Sequence, residues 1–302
     1  MTDAHSDRHL LGILWRLAAM ALLSAMYAAT KVAEARGVSL WELLWARQVF
    51  ALPIIAGLVA AGPGFASVRT TRMKSHAVRS AMGMFGVVLN FSSVAMLPLA
   101  EATTLSFTVP MFGTLLAAMV LKERVGIHRW GAVVVGFIGV LIVTQPGSGH
   151  LPVLGASIGI AAALSVAGTS LMIRDLGRTE VPLTTVFWFT SISAVTMSLA
   201  APFVLHRHDP GDWAIMVLVG VTGGLAQVAV TSSLRHAPVS TVLPMDYSAL
   251  IWASLLGWLL FGALPGQSTW LGAPVIVASG LYIVWRERVR HRLIAIAAGR
   301  DE

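Results

Sequence analysis

The chain has 302 residues, of which 56% are hydrophobic and only 12% are charged, and its mean hydropathy is +0.78. Soluble domains average about 25% charged residues, so this composition excludes a soluble enzyme or binding module and makes the lipid bilayer the expected surroundings. The chain has no cysteine, which excludes disulfide bonds, thiolate metal ligands and cysteine nucleophiles. The formal net charge of +7 alone would fit a nucleic-acid-binding protein, so the positions of the charges must decide that question.

Ten apolar runs are long enough to cross a bilayer as helices, each of which needs about 20 residues. They lie at 11–31, 40–62, 76–97, 99–121, 128–145, 152–173, 181–205, 212–232, 239–262 and 269–285. The first run follows a polar stretch and is of full spanning length, so we interpret it as a retained helix and not as a cleaved signal peptide. The sequence therefore predicts an all-α membrane protein with ten transmembrane helices.

The basic residues are distributed unevenly between the two sides of the predicted membrane. With the N-terminus in the cytoplasm, one side receives Arg8, Arg16, the basic residues within 69–79, 122–129 and 174–178, Arg235 and the tail 286–302. An excess of Lys and Arg on the cytoplasmic side is the usual rule for such proteins. We expect a multi-pass protein of the bacterial inner membrane with both termini cytoplasmic, and we assign the net charge to topology and not to nucleic-acid binding.

Shifting the sequence by 140 residues aligns it with itself without a gap. The pairs include Ser92 with Ser232, Pro98 with Pro238, Gly126 with Gly266, and Trp130 with Trp270. Because each half holds five helices, an odd number, the two halves must face opposite ways across the membrane. Inverted repeats of this kind are common in secondary carriers, in which two halves rock about a central site. A duplication without transport is the alternative.

Two equivalent segments carry a family resemblance, one beginning LPLAEATTLSFTVP and the other HAPVSTVLPMDYSALIW. They resemble the two EamA repeats of the drug/metabolite transporter superfamily, most closely those of bacterial riboflavin importers and S-adenosylmethionine uptake carriers. The resemblance implies a first repeat over 11–145 and a second over 152–285, between a tail at 1–10 and a tail at 286–302. It also implies a central cavity and transport of a metabolite, although other members export amino acids, so an exporter stays open.

The sequence departs from this family at two positions. Ala263 stands where relatives often carry an acidic residue, and Tyr27 stands where many have one on the first helix. The second departure bears on the charge preference for the substrate.

We assign four ionisable residues to the hydrocarbon core of the predicted membrane: Lys31, Arg47, Glu101 and Asp246. Each costs roughly 2.5–3.5 kcal/mol to insert, so such residues usually face the bundle interior and mark transport pathways. Lys31 lies near a helix end and can reach the interface, whereas Arg47 lies about two turns inside the second helix and needs a partner.

Asp246 is followed directly by Tyr247, and this pair is a candidate binding surface. The ring and the carboxylate could together bind a flat aromatic solute, or the carboxylate could carry a coupling proton. The alternative is a permanent ion pair, for example with Arg47, that holds the helices together.

Five uncharged residues complete the predicted site. Thr104 and Thr108 share a face of the fourth helix, Asn90 and Gln227 are amides in the third and eighth helices, and Trp252 follows Asp246 in the ninth. Each has a structural alternative, namely a backbone hydrogen bond for the threonines, helix–helix contacts for the amides and packing for the tryptophan.

Motifs for other chemistries are missing from the sequence. None of the nine histidines forms an HExxH pair, and neither a GxxxxGK[ST] phosphate loop nor a GxSxG motif occurs. We therefore expect no catalysis, no metal and no cofactor. The leading hypothesis is a monomeric secondary transporter that moves a small organic solute by alternating access, and the alternative class is a non-transporting structural or sensory subunit.

Overall fold

The computed structural model describes residues 2–120, 122, 126–145, 151–237 and 242–298. Within these ranges all regular secondary structure is helical, and ten helical segments are long and apolar enough to cross a membrane. The prediction of an all-α protein with ten transmembrane helices is confirmed.

The first half of the chain forms five spans. Its helices are α1 (Thr2–Ala35), α2 (Leu40–Ala61), α3 (Met73–Met96), α4 (Leu99–Ser106), α5 (Val109–Met119) and α6 (Ile127–Thr144). Together α4 and α5 form the fourth span, and a short 3₁₀ helix, Phe65–Val68, lies between α2 and α3.

The second half repeats this order. Its helices are α7 (Val153–Leu176), α8 (Pro182–Val204), α9 (Pro210–His236), α10 (Ala249–Phe261) and α11 (Gln267–Ala298). A 3₁₀ helix, Leu243–Ser248, precedes α10 and completes the ninth span with it.

Two helices continue beyond the predicted apolar runs. The first starts at Thr2 although its apolar span begins at Leu10, and the last ends at Ala298 although its span ends at Arg286. Hydropathy marks where a helix can contact lipid, whereas the last helix continues through Arg and Glu residues, which favour helical structure.

The fourth predicted helix, at 99–121, is interrupted, which corrects the expectation of one continuous helix. The break lies at Phe107 and Thr108, whose N–H groups donate to Thr104 O and Leu105 O, each at 3.1 Å, in short three-residue turns. Pro110 explains the break, because it has no N–H to donate to Ser106 O and its ring crowds that carbonyl.

The ninth span is interrupted at the equivalent place. With the 140-residue shift, Val109 at the start of α5 corresponds to Ala249 at the start of α10. The 3₁₀ helix before α10 begins with Leu243 and Pro244. Both halves therefore break the same helix at the same position, and discontinuous helices of this kind form the binding sites of many transporters.

The helices of the two halves pack against each other in pairs. The first helix packs against α9, as α3 does against α7, while α2 contacts α8 and α6 contacts α11. The two helices α6 and α11 pack so closely that a methyl group added at Gly272 would lie 2.7 Å from Gly139 O. Large apolar side chains such as Phe203 and Leu199 point outwards, where lipid would surround them.

The helix ends gather at two faces of the bundle. We call the face where the span of α1 begins the N-terminal face, and the one where it ends the opposite face. At the N-terminal face, Arg72 pairs with Asp175, and Trp188 Nε1 donates to Val68 O at 2.8 Å. At the opposite face, Glu42 Oε1 accepts from the His206 N–H at 2.7 Å and lies 2.7 Å from His208 Nε2. Polar contacts therefore join the two halves at both faces.

Candidate functional site

A cavity of about 380 Å³ lies between the two halves, next to both helix interruptions. Its walls are mostly apolar, with a few polar groups at defined places. The lining residues are Arg16, Met20, Leu23, Ser24, Tyr27, Asn90, Thr103, Ser106, Phe107, Val109, Pro110, Ala163, Val166, Val230, Pro244, Asp246, Tyr247, Ala249, Leu281 and Val284. Cavities of this size and composition are typical of small-molecule sites.

An ion pair between Arg16 and Asp246 crosses the cavity wall. Arg16 donates through Nε to Oδ1 and through Nη2 to Oδ2, the second bond measuring 2.7 Å. Arg16 belongs to α1 and Asp246 to the 3₁₀ helix before α10, so this bidentate ion pair joins the first half to the second. The Asp246 side chain keeps 31% of its surface accessible, which leaves it open to a solute in the cavity.

Aromatic rings from both halves form another part of the wall. Phe107, at the break in the fourth span, contacts Tyr247 edge to face, with ring centroids 4.9 Å apart. Tyr27 of α1 contacts Phe91 in the same way at 5.8 Å. These rings offer apolar surface with fixed geometry to a flat ligand.

The amide oxygen of Asn90 is buried and has no hydrogen-bond partner in the part of the chain that the structure describes. Among the described residues that line the cavity, it is the one side-chain atom in this state. By contrast, the hydroxyls of Thr103 and Ser106 already donate to carbonyls in their own helix, Leu99 O at 2.7 Å and Ala102 O at 3.2 Å. A buried acceptor left unsatisfied costs free energy, so a donor that reaches the Asn90 oxygen would be favoured.

The structure therefore brings together Asn90, Asp246 and Tyr247 of the nine predicted residues. Arg47 and Gln227 lie elsewhere, around a separate pocket of about 20 Å³ between α2, α8 and α9. Arg47 therefore does not pair with Asp246, which is held by Arg16 instead.

Glu101 lies at the opposite face, outside the lining of the cavity. Its Oε1 accepts from the Gly266 N–H at 3.1 Å and from Thr269 Oγ1 at 3.0 Å. These groups lie at the start of α11, so the carboxylate caps a helix whose first N–H groups have no partner within the helix. Lys31, near the same face, donates from Nζ to Leu97 O at 2.8 Å at the end of α3.

Thr104, Thr108 and Trp252 also lie outside the lining of the cavity. The two threonine hydroxyls donate to Ala100 O at 2.8 Å and Leu105 O at 2.7 Å, so they satisfy backbone carbonyls next to the helix break. Trp252 packs against Ala19, Met20 and Ala229.

Arg16 and Arg79 were not predicted as interior residues, because both were assigned to the cytoplasmic loop charge. In the structure Arg16 is 8% exposed and Arg79 is 7% exposed, and both lie within membrane spans. The signal was present for Arg16, which follows Leu10, the first residue of its span, by six positions, and is therefore too deep to be a loop residue.

Known proteins resemble this chain throughout its length. The model of the EamA-like transporter family matches residues 10–145 and again 153–285. A riboflavin transporter of Vibrio cholerae is 32% identical over 228 residues, covering 75% of this chain and 76% of that protein. A riboflavin transporter of Rhizobium johnstonii is 30% identical over 295 residues and 95% of each chain. An S-adenosylmethionine uptake transporter of Rickettsia bellii is 24% identical over 224 residues, or 74% of this chain and 76% of that protein.

A crystal structure with 18% sequence identity matches the fold with a TM-score of 0.62, over 94% of this chain and 98% of its own. At that identity the likeness supports the fold alone. The two family matches, by contrast, cover nearly the whole sequence and coincide with the two halves of the helical bundle. The chain belongs to the EamA-like transporter family and consists of two EamA repeats.

Proposed function

We propose that this protein is a secondary transporter that carries a small organic metabolite through the central cavity by alternating access. The observation that carries the proposal is the position of the cavity, which lies between two helices interrupted at equivalent points of the two repeats. A site on the axis that relates two inverted halves is exposed to either side as the halves rock.

The solute class that best fits the cavity is a flat aromatic metabolite with hydrogen-bonding edges, such as riboflavin. Phe107, Tyr247 and Tyr27 supply ring surface, and Asn90 supplies a free acceptor for an N–H or O–H of the solute. Two relatives that are riboflavin transporters support this assignment.

A second candidate is S-adenosylmethionine, which carries a positive sulfonium and a flat purine ring. The accessible Asp246 carboxylate favours it, because a cationic solute could replace Arg16 as the partner of Asp246. The relative from Rickettsia bellii points to the same compound. Export of a metabolite or an amino acid is the remaining alternative within the same fold.

We further propose the orientation and the limits of the protein. The N-terminal face lies in the cytoplasm, with both termini there, because the basic residues of the chain concentrate on that side. The membrane is the bacterial inner membrane. The repeats extend over 11–145 and 152–285, with tails at 1–10 and 286–302. The protein acts as a monomer, without catalysis and without a nucleic-acid partner.

Counterflow into proteoliposomes tests this function. Vesicles preloaded with unlabelled riboflavin should accumulate labelled riboflavin, and S-adenosylmethionine and amino acids should be assayed in parallel. Asp246→Asn should reduce the flux of the accepted solute, whereas the matched control Asp175→Asn, at the exposed pair of the N-terminal face, should not. Vesicles that exchange none of these solutes would favour a non-transporting subunit.

A further inference from the structure

Arg47 and Arg79 are two interior arginines without an anionic partner in the described part of the chain. In each, Nε and Nη1 are buried and donate to no hydrogen-bond acceptor within the ranges that the structure describes. The ion pairs of the described residues engage Arg16, Arg36 and Arg72, but neither Arg47 nor Arg79.

Their contacts are with aromatic rings. The Cζ atom of Arg47 lies 5.9 Å from the centroid of Phe91, and that of Arg79 lies 4.1 Å from the centroid of Phe189. A cation–π contact contributes much less free energy than the desolvation of an ion costs, even after relaxation. The contacts with the rings therefore compensate for only part of the desolvation cost of the guanidinium groups, and a bound anion would compensate for the rest.

The pocket beside Arg47 has the composition of an anion site. Arg47, Gln48, Thr190 and Gln227 supply its polar groups, and no Asp or Glu is among its lining residues. Phe189, the ring that Arg79 contacts, forms part of the same wall, so Arg79 lies next to a lining residue of the pocket although it does not line the pocket itself.

The size of the pocket decides which anion it can hold. Its volume of about 20 Å³ is close to the 10–15 Å³ that a single water-sized species needs. A carboxylated metabolite would not fit, and the central cavity of about 380 Å³ is the separate place for a solute.

We propose that this pocket, formed by Arg47, Gln48, Thr190 and Gln227 beside Phe189, binds one small monovalent inorganic anion such as chloride. The bound anion neutralises the charge of Arg47. The site is distinct from the solute cavity, and its occupancy does not depend on which metabolite is carried.

Thermal unfolding of the purified protein in chloride and in gluconate, at one ionic strength, tests this site. Gluconate is too large for the pocket, so chloride alone should raise Tm, by about 2 °C or more for each tenfold increase in its concentration above its Kd. Bromide should act like chloride. Equal Tm values in gluconate and chloride would overturn the proposal, and so would stabilisation by formate or acetate without stabilisation by chloride, which would assign the pocket to a carboxylate.

Two variants separate binding from folding. Arg47→Met should abolish the dependence of Tm on chloride, whatever its absolute Tm. Gly223→Ala keeps both charges but places a methyl group 3.8 Å from Arg47 Nε and 2.9 Å from Met26 Sδ, so it should crowd the pocket and reduce the chloride response. The control Arg36→Met removes an exposed arginine at the opposite face and should retain the full response. A chloride dependence of Tm in Arg47→Met that equals that of the unmodified protein would contradict the site.

Direct detection completes the test. Crystals grown in bromide should show an anomalous peak beside Arg47 Nε. A peak only elsewhere in the molecule would overturn the assignment.

Discussion

Arg16 and Asp246 are 230 positions apart in sequence, yet their side chains form a bidentate ion pair on the wall of the central cavity. The pair connects the first helix of one repeat to the interrupted helix of the other. A relative motion of the repeats or the binding of a solute in the cavity would therefore change the contacts of this pair.

Reversing this pair should separate its structural role from its role in transport. Arg16→Gln leaves Asp246 unpaired and should lower the free energy of unfolding by about 1–3 kcal/mol, between the values typical of surface and of fully buried pairs. The double variant Arg16→Asp with Asp246→Arg should recover most of that loss but not the transport rate. Thermal unfolding and counterflow measure the two effects. Equal losses in the single and the reversed variants would show that the two side chains are not energetically coupled.

Asn90 should matter for binding and not for folding. Its amide oxygen has no protein partner among the described residues, so Asn90→Leu removes an unsatisfied acceptor and should not lower the Tm of the solute-free protein. The Kd for riboflavin should rise about tenfold, the equivalent of one hydrogen bond of about 1.4 kcal/mol. Isothermal titration measures the Kd.

Thr103→Val is the comparison for Asn90, because the hydroxyl of Thr103 is already bonded to Leu99 O. Its effect on Kd should be smaller than that of Asn90→Leu. An unchanged Kd in Asn90→Leu would remove Asn90 from the solute site.

Glu101 should act on stability through α11. Glu101→Ala leaves the Gly266 N–H and the Thr269 hydroxyl without their acceptor and should destabilise the protein by about 1–3 kcal/mol. Glu101→Gln keeps a carbonyl oxygen at the same place and should cost much less. Chemical unfolding compares the two variants, and a Gln variant as unstable as the Ala variant would indicate that the charge is needed and not the acceptor.

Gly272 should be sensitive to a single added methyl group. Its Cβ would lie 2.7 Å from Gly139 O and 3.1 Å from Val143 N, both backbone atoms that cannot rotate away. Gly272→Ala should therefore lower the free energy of unfolding by about 1–3 kcal/mol, as overpacked cores do.

Gly131, on the outer side of α6, is the matched control because nothing lies within 4 Å of the equivalent methyl position. Gly131→Ala should leave stability unchanged or increase it by about 0.5–1 kcal/mol, since alanine is the better helix former. Equal effects at both positions would argue against the close α6–α11 contact.

The sequence was sufficient for the ten spans and the repeat, because the spans depend on local hydropathy and the repeat on a constant shift of 140 residues. It was sufficient for Asp246 and Tyr247 as cavity residues, since the cost of a charge in a span marks Asp246 directly. The partner of Asp246 could not be derived, because pairing depends on which helices meet. Arg47 and Arg16 both carried the required charge, and only the packing of α1 against the ninth span selects Arg16.

The partners of Glu101 could not be derived from the sequence either. Its position in a span correctly marked it as a buried charge, 2% exposed in the structure. The groups that satisfy it lie 165 and 168 positions away, at the start of α11, and no local pattern reveals that contact. Burial of a charge is thus predictable from sequence, whereas its assignment to binding or to structure requires the neighbouring helix.

The central claim, that the solute occupies the cavity between the repeats, is tested most directly by site-directed labelling. Because the chain has no native cysteine, a single Ser106→Cys variant places the only thiol in the cavity wall, and Lys74→Cys places one on the exposed N-terminal face. Provided that both variants transport, saturating riboflavin should slow maleimide labelling at position 106 by about tenfold at ten times its Kd and leave position 74 unaffected. Equal labelling of Ser106→Cys with and without a solute that the protein transports would contradict the account.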